Sequence, residues 1–271
     1  MKITAIRVQE KRKERYNVFV DEKYRFSVDE EVLARFHLSK GKTLSEEEIE
    51  QIEEADQVRI GLNKAIQFLS HRVRSEKEMR SFLAKQEIEA IHRDSIIQKL
   101  VEMDYLDDAE FAKLYVRTQV KTTTKGPGKI RRELIEKGIT REVIEESLDA
   151  YTAEEREENA LKEATKIARR SRNLAKERLK MKIRTDLLQK GFSELEGKTA
   201  ASEATSELSE DDETEVLRKQ LEKLMRKNKR FEPRIAKQKT IQSLMQKGFS
   251  YANIESYLAE HEIDFEEVED E

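Results

Sequence analysis

The sequence predicts a mainly α-helical fold: tandem three-helix repeats in an elongated curved array, preceded by a small antiparallel β-containing domain. Two observations carry this. First, 271 residues include only 8 Gly and 2 Pro, too few breakers for the many turns of a sandwich, a barrel or a doubly wound sheet. Second, a heptapeptide returns along the chain. Leu187-Leu188-Gln189-Lys190-Gly191-Phe192-Ser193 and Leu244-Met245-Gln246-Lys247-Gly248-Phe249-Ser250 agree at six of seven positions. Leu134-Ile135-Glu136-Lys137-Gly138-Ile139-Thr140 is a third copy, and Leu83-Ala84-Lys85-Gln86-Glu87-Ile88-Glu89 a weaker fourth. Spacings of 51, 53 and 57 residues between copies mark a repeat architecture.

Residues 2–28 read as strands. Ile3, Ile6 and Val8 supply a core face, and Tyr16–Val20 and Tyr24–Val28 are rich in aromatic and β-branched residues. Asp21-Glu22-Lys23 is the polar turn of a small meander. From Asp29 the period becomes helical, with Val32, Leu33 and Phe36 on one side and Gly41 as the stop. Ser45 and Glu48 form a capping box that opens the next helix. That helix is expected to continue or to break before Val58.

Each later unit is read as a long helix, a second helix that ends at the heptapeptide, and a third helix capped after it. Apolar spacing marks the long helices at Ala65-Ile66-Leu69, Phe111-Ala112-Tyr115, Leu161-Ala164-Ile167 and Leu217-Leu221-Leu224. Gly takes the left-handed cap, Lys lies near the negative end of the dipole, and the Ile or Phe after Gly packs back on the helix just ended. Ser75, Asp107 and Thr152 open capping boxes. The predicted domains are 1–57 (meander plus helices), repeats at 58–106, 107–152, 153–213 and 214–260, and an acidic tail at 261–271. The third repeat is expected to be damaged. Ser193–Ser209 carries only Leu195 and Leu208 as large apolar residues, so a degraded helix or a loop is predicted there.

The chain has no Cys, which excludes disulfides, thiolate metal sites and a Cys nucleophile. No apolar run follows Met1-Lys2-Ile3-Thr4, and no stretch is long enough to span a membrane, so the expected compartment is the cytoplasm. Enzyme motifs fail. Thr123–Lys129 lacks the first Gly and the final Ser or Thr of a phosphate loop. His92-Arg93-Asp94 stands without the other kinase motifs, and the four histidines have no metal-ligand spacing. No catalytic residue, metal or cofactor is predicted.

Charge is segregated. The net charge is −4, yet Glu46–Asp56 holds seven acids, Glu207–Glu215 six and Glu260–Glu271 eight, without any Lys or Arg. The remainder carries +17. Its cations cluster near helix junctions: Arg72 and Arg74; Lys121, Lys125, Lys129, Arg131 and Arg132; Arg169, Arg170, Arg172 and Lys176; Arg230. Such an edge suits a long polyanion or an acidic protein groove, or is simply a solvated face. No aromatic residues interleave these clusters, as a stacking platform for single strands would need.

Two linked signatures resemble the RecX family of regulatory proteins. Ala65-Ile66-Gln67-Phe68-Leu69-Ser70-His71-Arg72-Val73-Arg74-Ser75-Glu76-Lys77-Glu78-Met79 is similar to the opening of that family's first repeat. Tyr105–Ala112, then Tyr115-Val116-Arg117, then Lys125–Leu134 followed by Lys137-Gly138 are similar to its second. The resemblance covers about 58–260 and is strongest over 60–150. It implies tandem three-helix units and a monomeric, non-enzymatic regulator. Such a protein binds the RecA recombinase filament on single-stranded DNA and modulates it in recombination, DNA repair and the SOS response, with direct DNA binding as the alternative. By position it implies Tyr115, Arg117, Lys125, Lys129, Arg131 and Arg132 as contacts. The chain departs from the short, three-unit form of the family by its strand-bearing start and a fourth unit.

Overall fold

The computed structural model describes residues 1–265, so the predicted acidic tail lies mostly outside the described residues. It divides into two compact units, Met1–Leu114 with Leu134–Ile144, and Tyr115–Glu133 with the chain from Glu145 onward.

In the first unit, β1 (Ile3–Val8), β2 (Arg15–Val20) and β3 (Lys23–Asp29) form the predicted antiparallel meander in the order β1-β2-β3. Asp21 and Glu22 both have positive φ (49° and 69°), as a two-residue hairpin matched to strand twist requires. Ile3, Val18, Val20, Phe26 and Val28 bury against Val32, Leu38, Leu44, Ile49 and Ile52. α1 (Glu30–Arg35) is capped by Asp29. It stops well before Gly41, because His37 takes the left-handed cap (φ 46°) and Leu38 N–H reaches back to the Leu33 carbonyl at 3.0 Å. Gly41 instead donates its N–H to the Ile3 carbonyl beside β1.

The expected boundary at 57/58 lies within one helix. α2 (Glu46–Leu69) runs unbroken from the Ser45 capping box. Its first half gives Ile49 and Ile52 to the meander core; its second gives Val58, Leu62 and Ala65 to the first repeat. The pivot is a buried polar network. Arg15 makes two bonds to Asp56 (3.2 and 2.7 Å), with the side chains 10% and 5% exposed. Asp56 also accepts the Asp29 N–H at 2.8 Å, and Asp29 pairs with Arg59 at 3.2 Å. α3 (Glu76–Lys85) and α4 (Ala90–Glu102) complete the first repeat.

The second repeat, α5 (Asp108–Thr122), α6 (Pro127–Glu136) and α7 (Arg141–Leu148), is shared between the two units. The second unit continues with α8 (Ala153–Arg170), α9 (Lys176–Gln189) and α10 (Glu194–Ala204), then α11 (Glu210–Asn228), α12 (Pro233–Gln246) and α13 (Tyr251–Glu260). α11 begins before the predicted 213/214 boundary, capped by Ser209.

The third repeat is intact, which corrects the prediction of a degraded helix or loop. Ser193 and Glu196 form a capping box, and α10 buries Gly197, Ala200 and Ala201 while Leu195 stays 74% exposed. α10 adds only small side chains, Ala200 and Ala201, to a core whose large members are Ile167, Leu179, Ile183, Leu187 and Phe192. Ala is the best helix former, so the segment needs no large apolar residue to be helical.

The heptapeptide is the C-terminal cap of helix two in each repeat. Gly138, Gly191 and Gly248 have φ of 87°, 91° and 97°, and Glu87 holds the same place at 60°. The residue after each donates its N–H to the Leu five places earlier. Both ends of that contact are buried, Leu83 with Ile88, Leu134 with Ile139, Leu187 with Phe192, and Leu244 with Phe249.

Each of the last three caps then docks on the start of helix two in the preceding repeat. Gly126 and Gly128 at the start of α6 donate their N–H groups to the Lys190 and Gly191 carbonyls, both at 2.9 Å. Ala175 at the start of α9 donates to the Lys247 carbonyl at 3.0 Å. At the start of α3 the Ser75 hydroxyl donates to the Lys137 carbonyl at 2.8 Å, and the Lys77 ammonium to the Glu136 carbonyl at 3.0 Å. At the starts of α6 and α9, orphan N–H donors thus satisfy orphan acceptors of α9 and α12.

Gly191→Ala should therefore cost about 2–4 kcal/mol, since its Cβ would lie 2.2 Å from the Lys129 nitrogen at a left-handed φ. Glu87→Gly, where no helix start docks, should instead stabilise by up to about 1 kcal/mol. Asp56→Ala should cost about 3–5 kcal/mol by leaving Arg15 buried and unpaired, and adding Arg15→Met should recover most of that. Urea unfolding of the four variants measures all these differences; equal midpoints for Gly191→Ala and the parent chain would remove the docking constraint.

Candidate partner-binding surface

The nominated cations fall into two groups once their neighbours are known. Several are committed to internal contacts. Arg72 grips both carboxylate oxygens of Glu78 at 3.2 and 3.1 Å, and Lys137 reaches Glu78 at 2.9 Å, so this carboxylate clamps the first joint. Burial alone would raise the Glu78 pKa, but the hydrogen bonds from Arg72 and Lys137 outweigh it and hold the group at about 2. Arg74 lies 4.0 Å over the Phe68 ring, which stacks on Phe82. Its Nε is buried without a hydrogen-bond partner, and burial followed by repulsion from Arg72 lowers its pKa.

In the second repeat, Glu133 collects the nominated residues. The Tyr115 hydroxyl donates to it at 2.8 Å and Lys125 pairs with it at 2.7 Å. Burial opposes its ionisation, yet the bonds from Lys125 and Tyr115 keep its pKa below the usual value. Lys129 is half-buried beside the second joint, its backbone nitrogen facing Gly191. Arg131 makes two 2.7 Å bonds to Glu145. Arg132 is exposed and donates to the Gly128 and Gln189 carbonyls at the second joint. In the third repeat the Lys176 ammonium donates to the Leu208 carbonyl. In the fourth, Arg230 sits 5.0 Å over the Phe231 ring.

The second group is free. Arg117 and Lys121 on α5, and Arg169, Arg170 and Arg172 at the end of α8, are exposed and form no ion pair among the described residues. The last three lie within four positions of one another at a helix C-terminus.

Sequence reasoning missed two recurrent contacts. The Lys of the heptapeptide locks its joint: Lys190 pairs with buried Glu163 at 2.9 Å, beside the Thr124 hydroxyl, as Lys137 pairs with Glu78. An Arg on helix two also clips an acid of helix three in three successive repeats, Arg80 with Asp94, Arg131 with Glu145 and Arg184 with Glu194. The first two pairs are 14 residues apart in sequence and the third 10, a signal visible only once the repeats are aligned. Among the described residues no three His, Asp or Glu side chains are grouped to hold a metal ion, and no helix is long and apolar enough to cross a membrane.

Because the Glu78 pKa is depressed, its contribution is present above the unfolded value near 4.5 and is lost as pH falls toward about 2. The melting temperature of the parent chain should therefore fall more steeply between pH 4.5 and about 2 than that of Glu78→Gln, which lacks the titrating group. Parallel profiles would show that Glu78 does not clamp the joint.

The family models of the RecX N-terminal domain, second three-helix domain and third three-helix domain match residues 1–45, 107–148 and 210–258. The strand-bearing start is thus part of the family pattern, and the family's third three-helix domain falls on the fourth repeat here. Regulatory protein RecX of Listeria monocytogenes serotype 4b (strain F2365) is 63% identical over 269 residues, covering 99% of this chain and 100% of the relative. The protein of the same name from Bacillus subtilis (strain 168) is 40% identical over 260 residues, covering 96% and 98%. A crystal structure of a regulatory protein RecX superposes with a TM-score of 0.68 at 36% identity, covering 76% of this chain and 99% of that one. That of RecX from Lactobacillus salivarius gives 0.53 at 34% identity, covering 56% and 99%. Full-length identity at this level and repeats of this kind have one reading: the chain belongs to the RecX family of regulatory proteins.

Proposed function

We propose that this chain is a non-enzymatic, monomeric, cytoplasmic regulator that binds the RecA filament on single-stranded DNA. It modulates filament assembly and activity in recombination, DNA repair and the SOS response. Full-length similarity to proteins named regulatory protein RecX carries the reading. Successive repeats meet successive filament subunits, and this bridging biases the filament between growth and loss. ATP is hydrolysed by RecA, not by this chain. Contact falls to the exposed cations Arg117, Lys121, Arg169, Arg170 and Arg172, which face no internal carboxylate and are available to acidic protein surface or phosphate.

Charge reversal at Arg131 and Arg132 is a poor test of that surface, because it would break the Glu145 clip and disturb the second joint. Reversal of the free trio is cleaner. The parent chain should change RecA's single-strand-dependent ATPase at well below one chain per RecA, and the sign of the change separates inhibitor from activator. Arg169→Glu, Arg170→Glu and Arg172→Glu together should raise the concentration needed without lowering the melting temperature. No effect of the parent chain, even in excess, would sink the reading.

Direct DNA binding is the second reading, favoured by the exposed trio at the end of α8. It predicts single-strand affinity without RecA, with a salt slope that drops by about two units in the trio variant, at roughly 0.7 per lost phosphate contact.

A further inference from the structure

A groove of about 430 Å³ lies between α9 and α10, within the second unit. Arg178 and Met181 line it from α9, Lys198 and Ser202 from α10, and Gly248 from the fourth repeat. Two further cations there are spent: Lys180 pairs with Glu177 at 2.6 Å and Arg184 with Glu194 at 2.7 Å. Arg178 and Lys198 are exposed and form no ion pair among the described residues. The Arg178 guanidinium leans on the Met181 sulfur at 3.5 Å, and Met181 is itself 55% exposed. So each wall carries one uncompensated cation, with Met181 and Ala201 as apolar lining.

The chain itself carries a complementary segment. Residues 266–271, beyond the described ones, read Glu-Glu-Val-Glu-Asp-Glu: five acids, one apolar residue and no cation. They follow Phe265, which packs on the core cluster that holds Ala175 and Phe249. That cluster abuts the groove. A Cβ on Gly248 would lie 3.5 Å from the Ala175 Cβ and 2.3 Å from the Arg178 Cβ, and Phe249 is the next residue. Six extended residues span about 20 Å, roughly the length of α9. We infer that Glu266–Glu271 docks in the α9–α10 groove, its carboxylates on Arg178 and Lys198 and Val268 against Met181. A tethered segment outcompetes a free one with equal contacts, because tethering gives it an effective concentration of about millimolar. The groove is therefore filled from within, and an acidic protein or a phosphate chain reaches its cations only by displacing the tail. This goes beyond the regulator reading and does not rest on it.

The lack of Cys makes the test direct. In the full chain, Ser202→Cys with Val268→Cys places one thiol in the groove and one in the tail. Under copper phenanthroline these should join in an intramolecular disulfide at least about tenfold faster than Glu157→Cys with Val268→Cys, whose first thiol sits exposed on α8 outside the groove. Salt at about 1 M, where the Debye length is about 3 Å, should remove most of that advantage. So should amides in place of the tail acids (Glu266→Gln, Glu267→Gln, Glu269→Gln, Asp270→Asn and Glu271→Gln), which leave every groove residue as it is. Lys198→Gln, at an exposed site, should reduce it in part. Equal rates for the two thiol pairs would overturn the docking. So would an advantage that survives both high salt and the amide tail.

Discussion

The carbonyl end of each second helix rests on the N–H end of the second helix before it, and that contact governs the repeat region. It explains why the chain keeps glycine where it does. At Gly138, Gly191 and Gly248 a left-handed cap coincides with a close approach, so a Cβ would meet Lys77, Lys129 or Arg178 at 2.8, 2.2 and 2.3 Å. The first repeat has no earlier repeat to dock on. Its cap closes with Glu87 at φ 60°, exposed, with the same hydrogen bond from the following Ile. Local capping tolerates a side chain there; docking does not.

The second helices also come in two lengths. α3 and α6 have ten residues, α9 and α12 fourteen, a difference of about one turn. The pairing agrees with the heptapeptide, whose best match is between the third and fourth repeats. The family's third three-helix domain falls on 210–258, the fourth repeat. α10 contributes small residues, Ala200 and Ala201, to the core of the third repeat.

Legibility follows the range of the interaction. The strand pattern, the capping boxes at Ser45, Ser75 and Thr152 and the caps at Gly138, Gly191 and Gly248 are written in local residue patterns and agree with the structure, whereas the expected stop at Gly41 gives way to a cap at His37. The joints join residues 50 to 75 apart in sequence, and their receiving ends, Ser75, Gly126 and Ala175, share no residue type beyond small size. No pattern announces them. Whether α2 continues past Asp56 is open in the sequence, because its apolar face changes partner there and the residue that pairs with Asp56, Arg15, lies 41 residues earlier. The basic clusters were legible as charge, but not as contacts. Arg131 and Lys125 are spent on Glu145 and Glu133, whereas Arg169, Arg170 and Arg172 are not.

In a tandem array stability is close to a sum of repeat terms and neighbour terms, so unequal joints make unequal neighbours. The first joint has two side-chain donors and the Glu78 clamp; the second has two backbone donors and the Lys190–Glu163 pair. The third has one backbone donor, and Lys247 has no carboxylate partner among the described residues. Burial, and then repulsion from Lys223, lowers its pKa instead. A desolvated, unpaired ammonium at a joint opposes docking where a paired one supports it. The last repeat is therefore held chiefly by apolar packing of Ala175, Leu244 and Phe249.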